Sequence, residues 1–253
     1  MNSQANSYTQ IVENWILGVD TSTVRGGVAL ISPDKATTLS TNLPDGIRTS
    51  RVLLPAIRDL LKQANIGENS ITAVGVSLGP GSFTGIRIGL ATVKGLVLGI
   101  GCPVYGISSL DALAESALNE WMKLENKLPD WILPCRDARH EELFSALFKP
   151  IRNGDKIHAK RNSEDIVSFR DKVPIPAEGE ILIVAPENDR PELNFGGTIS
   201  QRVLYSNMNI APEGVAWLTK QAISLNISPS GPSLEPIYGR KPRAETQWSS
   251  EKT

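Results

Sequence analysis

The sequence predicts an α/β protein of two lobes, and three observations carry that reading. Strand-like and helix-like patterns follow one another as hairpin, helix, strand and helix over the first hundred or so residues. A looser variation on the same elements follows a boundary near residues 105–130, with no exact internal repeat. The chain has 253 residues, 40% of them hydrophobic, which is enough to bury a core as one large domain or two small ones.

Taken in order, "WILGVDTSTVRGGVALISP" holds two strand-like runs, 16–19 and 27–31, around a polar tip: a hairpin with a carboxylate and hydroxyls at its end. In "RTSRVLLPAIRDLLKQANIG", Leu53, Ile57, Leu60, Leu61 and Ala64 recur at the spacing of one helical face. Ser50 is placed to cap that helix, Pro55 sits in its early turns, and Gly67 lies beyond its end as a stop signal. "ITAVGVSLG" reads as a buried strand, and "PVYGISSLDALAESAL" as a strand, a Ser/Asp start signal and a further helix. The second half opens with "WILPCRDARHEELFSALFK", two strand-like runs joined by a charged turn. "EILIVAPEN" is another apolar strand, "APEGVAWLTKQAISLNIS" an amphipathic helix, and "SPSGPSLEPIYG" closes the folded part. The expected organisation is a disordered leader (1–14), an N-terminal lobe (15–110), a C-terminal lobe (111–240) and a flexible tail (241–253).

Composition narrows the function. Twenty-seven acidic against 26 basic residues give a net charge of −1, which argues against direct, charge-driven capture of nucleic acid. Two cysteines, Cys102 and Cys135, make no disulfide framework and fit a reducing cytoplasm. The longest apolar run, 86–100, is interrupted by Arg87 and Lys94, so no membrane span is expected.

The stretch richest in signal is "SLGPGSFTGIRIGLATVKGLVLGIG". It is not a P-loop, because Gly85 is followed by Ile86 where that motif needs lysine. Nor is it a nucleophile elbow, since Ser82 is flanked two residues away by Pro80 and Thr84 rather than by glycines. Gly79 and Gly81 with Gly85 miss the dinucleotide fingerprint by one position. Gly79, Pro80 and Gly81 permit a sharp strand-to-helix turn, with Ser82 or Thr84 available as a cap. At about 100° per residue, Gly85, Gly89, Thr92, Gly95 and Gly99 then fall on roughly one third of the helix. Glycine in a helix interior costs on the order of 1 kcal/mol relative to Ala. Something must therefore approach that backbone closely, either another element of the same lobe or a second protein.

These residues resemble the signature stretch of the TsaB (YeaZ) family, bacterial subunits needed to make threonylcarbamoyladenosine in tRNA. "ILGVDTSTVRGGVAL", "LLPAIRDLL", "CRDARHEELFSALF" and "EPIYGRKPRA" are similar to the family's hairpin, first helix, Asp-Ala-Arg segment and C-terminal ending. The match runs in order over about 15–244, is strongest over 79–110 and is weak over 150–205. It implies a reduced actin-like ATPase fold of the sugar-kinase and chaperone superfamily. It also implies a non-catalytic scaffold that pairs with TsaD, the subunit that transfers the threonylcarbamoyl group to the adenosine beside the anticodon. TsaE is the further partner, tRNA is reached through the complex, and a homodimer is expected when the chain is alone. Carried over, the pairing surface comprises Leu53, Ile57, Leu60, Gly85, Gly89, Thr92, Val93 and Leu96, and a Gly89→Leu change is expected to break pairing while sparing the fold. At the start of the first helix, Arg51 stands where many family members have an acidic residue.

Active members of the superfamily cradle phosphate at an Asp-x-Gly-Thr-like tip whose aspartate orients Mg²⁺ through water. Asp20, Thr21 and Ser22 occupy comparable places, with Ser22 where glycine is usual. No firmly bound cofactor is expected, while ATP or ADP with Mg²⁺ at the subunit interface is left open. Asp137, Arg139 and Glu142 read as a turn and ion-pair cluster, or as a contact to TsaE or nucleotide; "FGGTIS" at 195–200 is a late candidate phosphate loop. Two histidines, His140 and His158, do not make the pair that a TsaD-like metal site needs, so no metal and no catalytic residue are assigned. The rival readings are a weakly active ATP-dependent small-molecule kinase of the same superfamily that uses Asp20, and a homodimeric interaction protein that uses the same glycine face for itself.

Overall fold

The computed structural model describes residues 14–239 apart from 24–25, 33–36, 126, 155, 186–189, 192–200, 207, 209–210 and 232–233. The expected tail, nearly all of the expected leader, and "FGGTIS" lie outside the described residues.

Three strands open the first lobe as an antiparallel meander: β1 (Trp15–Asp20), β2 (Gly27–Ile31) and β3 (Thr38–Asn42). Helix α1 (Thr49–Gln63) leads to β4 (Ile71–Gly79), and α2 (Phe83–Ile100) leads to β5 (Val104–Ser108). The sheet order is β3-β2-β1-β4-β5, with β4 parallel to both β1 and β5. Strands β1, β2 and β4 are almost wholly apolar because both faces are covered, as sequences of buried strands require. On one face, Leu53, Ile57 and Leu60 of α1 join Ile86, Leu90 and Val93 of α2 over Leu17, Val28 and Val74.

Helix α3 (Ser109–Leu124) carries the chain to the second lobe. There β6 (Trp131–Asp137) and β7 (Glu142–Ser145) form a hairpin, followed by β8 (Phe148–Asn153), β9 (Lys156–Arg161) and β10 (Ile166–Phe169). Strands β11 (Gly179–Val184) and β12 (Gln201–Ser206) and helix α4 (Pro212–Ser224) complete it. The main path, β10-β7-β6-β11-β12, repeats the first sheet's plan, with the β8–β9 hairpin added through a β6–β8 pairing at Ile132 and Phe148. This is the actin-like ATPase fold in reduced form. Where α1 joins β3 to β4 in the first lobe, the β10–β11 connection holds only a 3-10 turn, Arg170–Lys172.

The expected boundary divides the sheets but not the helices. Helix α3 packs on β6 and β9, whereas α4 returns to pack on β1, β2 and β4 of the first lobe. That return is close: a Cβ on Gly18 would lie 2.2 Å from the Pro212 carbonyl, and one on Gly75 would lie 2.1 Å from Thr219 Oγ1.

The ends of α1 differ in detail from the expectation, and α2 is continuous past its two cations. Helix α1 begins behind Arg48, which gives no side-chain cap, and Ser50 lies one residue inside the helix instead of capping it. It ends at Gln63, and the left-handed turn residue is Asn65 (φ 55°), two positions before Gly67. Helix α2 runs for 18 residues and is, by length and composition, apolar enough to cross a membrane, because Arg87 and Lys94 do not interrupt it. Its apolar content has a local use, since Gly85, Ile86, Gly89, Leu90 and Val93 are buried in the lobe.

Candidate functional site

In open α/β sheets ligands bind outside the carboxyl ends of the strands, and the tip of the first hairpin lies at such an end. Here that place is a cleft of about 410 Å³ lined by Ser22, Thr23, Ser82, Arg136, Asp137 and Arg139, among others. The tip of the first hairpin is buried beneath it: Asp20 and Thr21 are 0% exposed.

The Asp20 carboxylate is fully engaged. One oxygen, Oδ1, accepts from the Ser22 amide at 3.0 Å and from the Ser22 hydroxyl at 2.6 Å. The other, Oδ2, accepts from Arg136 Nη2 at 3.1 Å and from the Ala211 amide at 2.9 Å. Arg136 comes from β6 and is 2% exposed; Ala211 is the residue before α4, a helix with no side-chain cap of its own. Asp20 thus ties three elements together and places a negative charge at the positive end of α4. Burial alone would push its carboxyl pKa up. The Arg136 guanidinium and the three hydrogen bonds more than reverse this and hold the group below the usual carboxylate range.

The glycine turn closes over the same tip. Gly79 and Gly81 adopt positive φ (105° and 153°), the Ser82 amide donates to the Ser22 carbonyl at 2.6 Å, and the Ser109 hydroxyl donates to the Pro80 carbonyl. The Ser82 hydroxyl, not Thr84, caps α2 by accepting from the Gly85 amide at 3.3 Å. A Cβ on Gly85 would lie 2.1 Å from the Thr21 carbonyl, and one on Gly89 would lie 2.1 Å from Thr21 Oγ1. The first two glycines of the helical face are therefore there for the hairpin tip of the same lobe.

Gly95 and Gly99 are different, with nothing within 4 Å of a Cβ at either. Most of the residues carried over as the pairing surface are packed inside the lobe. Leu53, Ile57, Leu60, Gly85, Gly89 and Val93 are buried in the lobe's own core, and Thr92 and Leu96 are half-buried. Gly89→Leu would drive a side chain into Thr21, so it tests the fold rather than pairing. What α1 and α2 present outward is Leu54 (42% exposed), Leu98 (86%), Ala91, Gly95 and Gly99.

The second hairpin tip is an exposed turn. The Asp137 carboxylate accepts from the Arg139 amide at 2.9 Å and lies 3.7 Å from Arg139 Nε. Arg139, His140 and Glu141 are left-handed in succession, and Glu142 closes the turn through backbone bonds to Ala138 and Arg139. Arg170, which sequence reasoning missed, braces it from the 3-10 turn, 3.4 Å from Glu141 and 3.9 Å from Asp137. The other missed residue is Arg136, whose signal was a cation inside the apolar run "WILPCRD".

At the mouth of the cleft the C-terminal segment is stapled down. Arg87 stacks over Phe83 at 3.7 Å and donates from Nε to the Tyr238 hydroxyl at 2.8 Å, while the Ile237 amide donates to the Leu78 carbonyl at 2.7 Å.

The tip does not fit a magnesium nucleotide. The carboxylate that would orient the metal has all of its close partners from the protein, and the Ser22 amide that would meet phosphate donates to Asp20 instead.

Residues 48–223 match the family model described as TsaD: tRNA N6-adenosine threonylcarbamoyltransferase. The chain is 36% identical over 129 residues to the tRNA threonylcarbamoyladenosine biosynthesis protein TsaB of Haemophilus influenzae, covering 51% of each. The chain thus spans about half the length of that relative. It is 36% identical over 154 residues to the protein of the same name from Buchnera aphidicola subsp. Schizaphis graminum, covering 61% of this chain and 69% of that one. Its fold superposes on the crystal structure of a Pseudomonas aeruginosa protein with similarity to the peptidase YeaZ. That superposition has a TM-score of 0.72 at 23% identity and covers 90% of this chain and 100% of the other.

Proposed function

Because the chain belongs to the TsaB (YeaZ) family, we propose that it serves tRNA threonylcarbamoyladenosine biosynthesis as a non-catalytic subunit that docks on a TsaD-type enzyme. The observation that carries the non-catalytic part is the state of Asp20. In a phosphotransferase of this fold the equivalent carboxylate has to face metal-bound water. Here it is 0% exposed, paired with Arg136 and bonded to Ala211 and Ser22. Removing either charge of such a pair leaves the other buried without that counter-charge. The residue therefore serves the joint between the lobes, and any nucleotide and Mg²⁺ used by the complex are assigned to the partner subunit.

The docking part rests on α1 and α2. Their inner faces build the core, and their outer faces leave Leu54, Leu98 and the open backbones of Gly95 and Gly99 facing outward. Apolar groups of this size, next to glycines that admit close helix approach, suit helix-on-helix packing.

The test is size-exclusion chromatography with light scattering of the chain mixed with the TsaD-type subunit of the same organism. The expected result is a one-to-one complex that Leu98→Asp abolishes without changing the subunit's own melting temperature. Separate elution of the two proteins, with nucleotide and the TsaE-type ATPase present, would overturn the scaffold reading.

A further inference from the structure

Another cavity, of about 430 Å³, lies at the opposite end of α2 from the cleft. Its walls come from the last turns of α2 (Val97 and Leu98), the turn that follows (Cys102 and Pro103), the start of β5 and the segment around Pro229. That segment is pinned in place: Ser230 donates its amide to the Val104 carbonyl at 2.9 Å, and its hydroxyl accepts from the Gly106 amide at 2.9 Å. The two prolines have no amide to offer a ligand. The carbonyls of Val97, Pro103 and Val104 accept from the amides of Gly101, Val74 and Ser230 at 2.8, 3.0 and 2.9 Å. The backbone around the cavity is thus spent on the fold, and the wall that remains is hydrocarbon. Burial pushes the Cys102 thiol up from its ordinary value, so it stays uncharged and belongs to the apolar wall.

The charged side chain that lines the cavity is Lys94, half-buried on α2, and among the described residues no carboxylate lines it. Lys94 stands six residues before Ile100, the end of α2, about 9 Å along the helix axis. The last turn of α2 carries no basic residue, so its carbonyl end keeps its partial negative charge. A negative group is therefore favoured at Lys94 and disfavoured at the Cys102 end, which gives an occupant a direction. A cationic amphiphile would bring like charge to Lys94. A sugar or a nucleotide would leave polar groups against hydrocarbon without hydrogen-bond partners. A compact apolar body with one negative end satisfies both the wall and the lysine.

We propose that this cavity binds a medium-chain carboxylate, with the carboxylate on Lys94 and the unbranched hydrocarbon body packed between Leu98, Pro103 and Pro229. The site is complete in the free subunit and stands apart from the docking reading above.

The experiment is isothermal titration calorimetry of the full chain alone with octanoate, octanol and octylamine, each below its micelle-forming concentration. Octanoate should bind about tenfold or more tightly than octylamine. Lys94→Gln should weaken octanoate by about tenfold, the loss of a charge-assisted contact, and leave octanol unchanged. Photolabelling of the full chain with a diazirine-bearing octanoate, followed by peptide mass spectrometry, should place the label within 94–104 or 229–231. Excess octanoate should suppress that label.

Octanoate that binds no more tightly than octylamine, or that is unaffected by Lys94→Gln, would overturn the proposal. Labelling confined to other parts of the chain would overturn it as well. Failure of all three probes to bind would do the same and leave the cavity to an apolar side chain of a partner protein. None of these results bears on the docking face, whose test is formation of the heterodimer.

Discussion

The first strand of each lobe's opening hairpin ends in an aspartate, Asp20 in β1 and Asp137 in β6; Asp137 lines the cleft and Asp20 lies buried beneath it. Asp20 is 0% exposed and has four protein donors drawn from its own tip, from β6 and from the start of α4. Asp137 is 36% exposed and pairs with Arg139, two residues away, and more distantly with Arg170. The residue that neutralises Asp20 is Arg136, the immediate neighbour of Asp137 in the chain. The second tip therefore supplies the cation that locks the first, and keeps its own carboxylate for a surface turn. The two tips thus put carboxylates at matching places to different structural uses, one as a joint between elements and the other as part of a surface turn.

The largest effect expected from breaking this contrast is at Asp20. Asp20→Ala leaves Arg136 buried without its counter-charge and uncaps α4, so it should cost about 3–5 kcal/mol in urea unfolding. Such a loss is large beside the roughly 5–15 kcal/mol stability of typical domains. Adding Arg136→Met should recover part of it, because it removes the buried charge that Asp20 balances. A double variant no more stable than Asp20→Ala would show that the ion pair is not what holds the joint. The same residue gives a pH signature. Because its folded pKa is lowered, its contribution is complete above the unfolded value of about 4 and is lost as pH falls through the folded value. Melting curves between neutral and strongly acidic pH should therefore fall more steeply for the natural chain than for Asp20→Asn.

Next in size is the bed on which the first tip lies. Gly89→Ala places a methyl against Thr21 Oγ1 and should destabilise by about 1–3 kcal/mol, read as a shift in the urea midpoint. Gly95→Ala, two turns further along the same helix with nothing within 4 Å, should instead stabilise the free subunit by up to about 1 kcal/mol. Equal effects at the two glycines would mean that the tip does not need the close approach seen here.

Those two glycines also mark how far the sequence could be read. Helical spacing places Gly85, Gly89, Gly95 and Gly99 on one side and asks for close approach, which Thr21 supplies at the first two. It cannot say that the approach stops halfway along, because the hairpin tip is some 65 residues earlier in the chain. The apolar strands and the amphipathic helices were legible because periodicity records burial directly. Strands β3, β9 and β10 were not, since "TLSTN", "KIHAKR" and "IVSF" are edge or hairpin strands exposed enough to carry polar and charged residues. Asp20 stood out in the sequence as the residue to watch, yet its role did not. Availability of a carboxylate depends on Arg136 and Ala211, which are 116 and 191 positions away.

The smallest effect, and the sharpest control, is at the second tip. The Asp137 carboxylate reaches two arginines, but Arg139 is itself 72% exposed and the Arg170 contact is 3.9 Å. Partly exposed pairs of this kind contribute little after solvent screening and side-chain ordering are counted, about 0–1 kcal/mol. Its one close hydrogen bond, from the Arg139 amide, is within the turn and open to replacement by water. Asp137→Ala should therefore shift the urea midpoint by no more than about 1 kcal/mol and leave the Asp20-dependent acid transition in place. A loss approaching that of Asp20→Ala would make the two tips energetic equals and dissolve the contrast drawn between them. A small loss together with a weakened heterodimer would instead place Asp137 on a surface that the partner reads, where its exposure is a requirement.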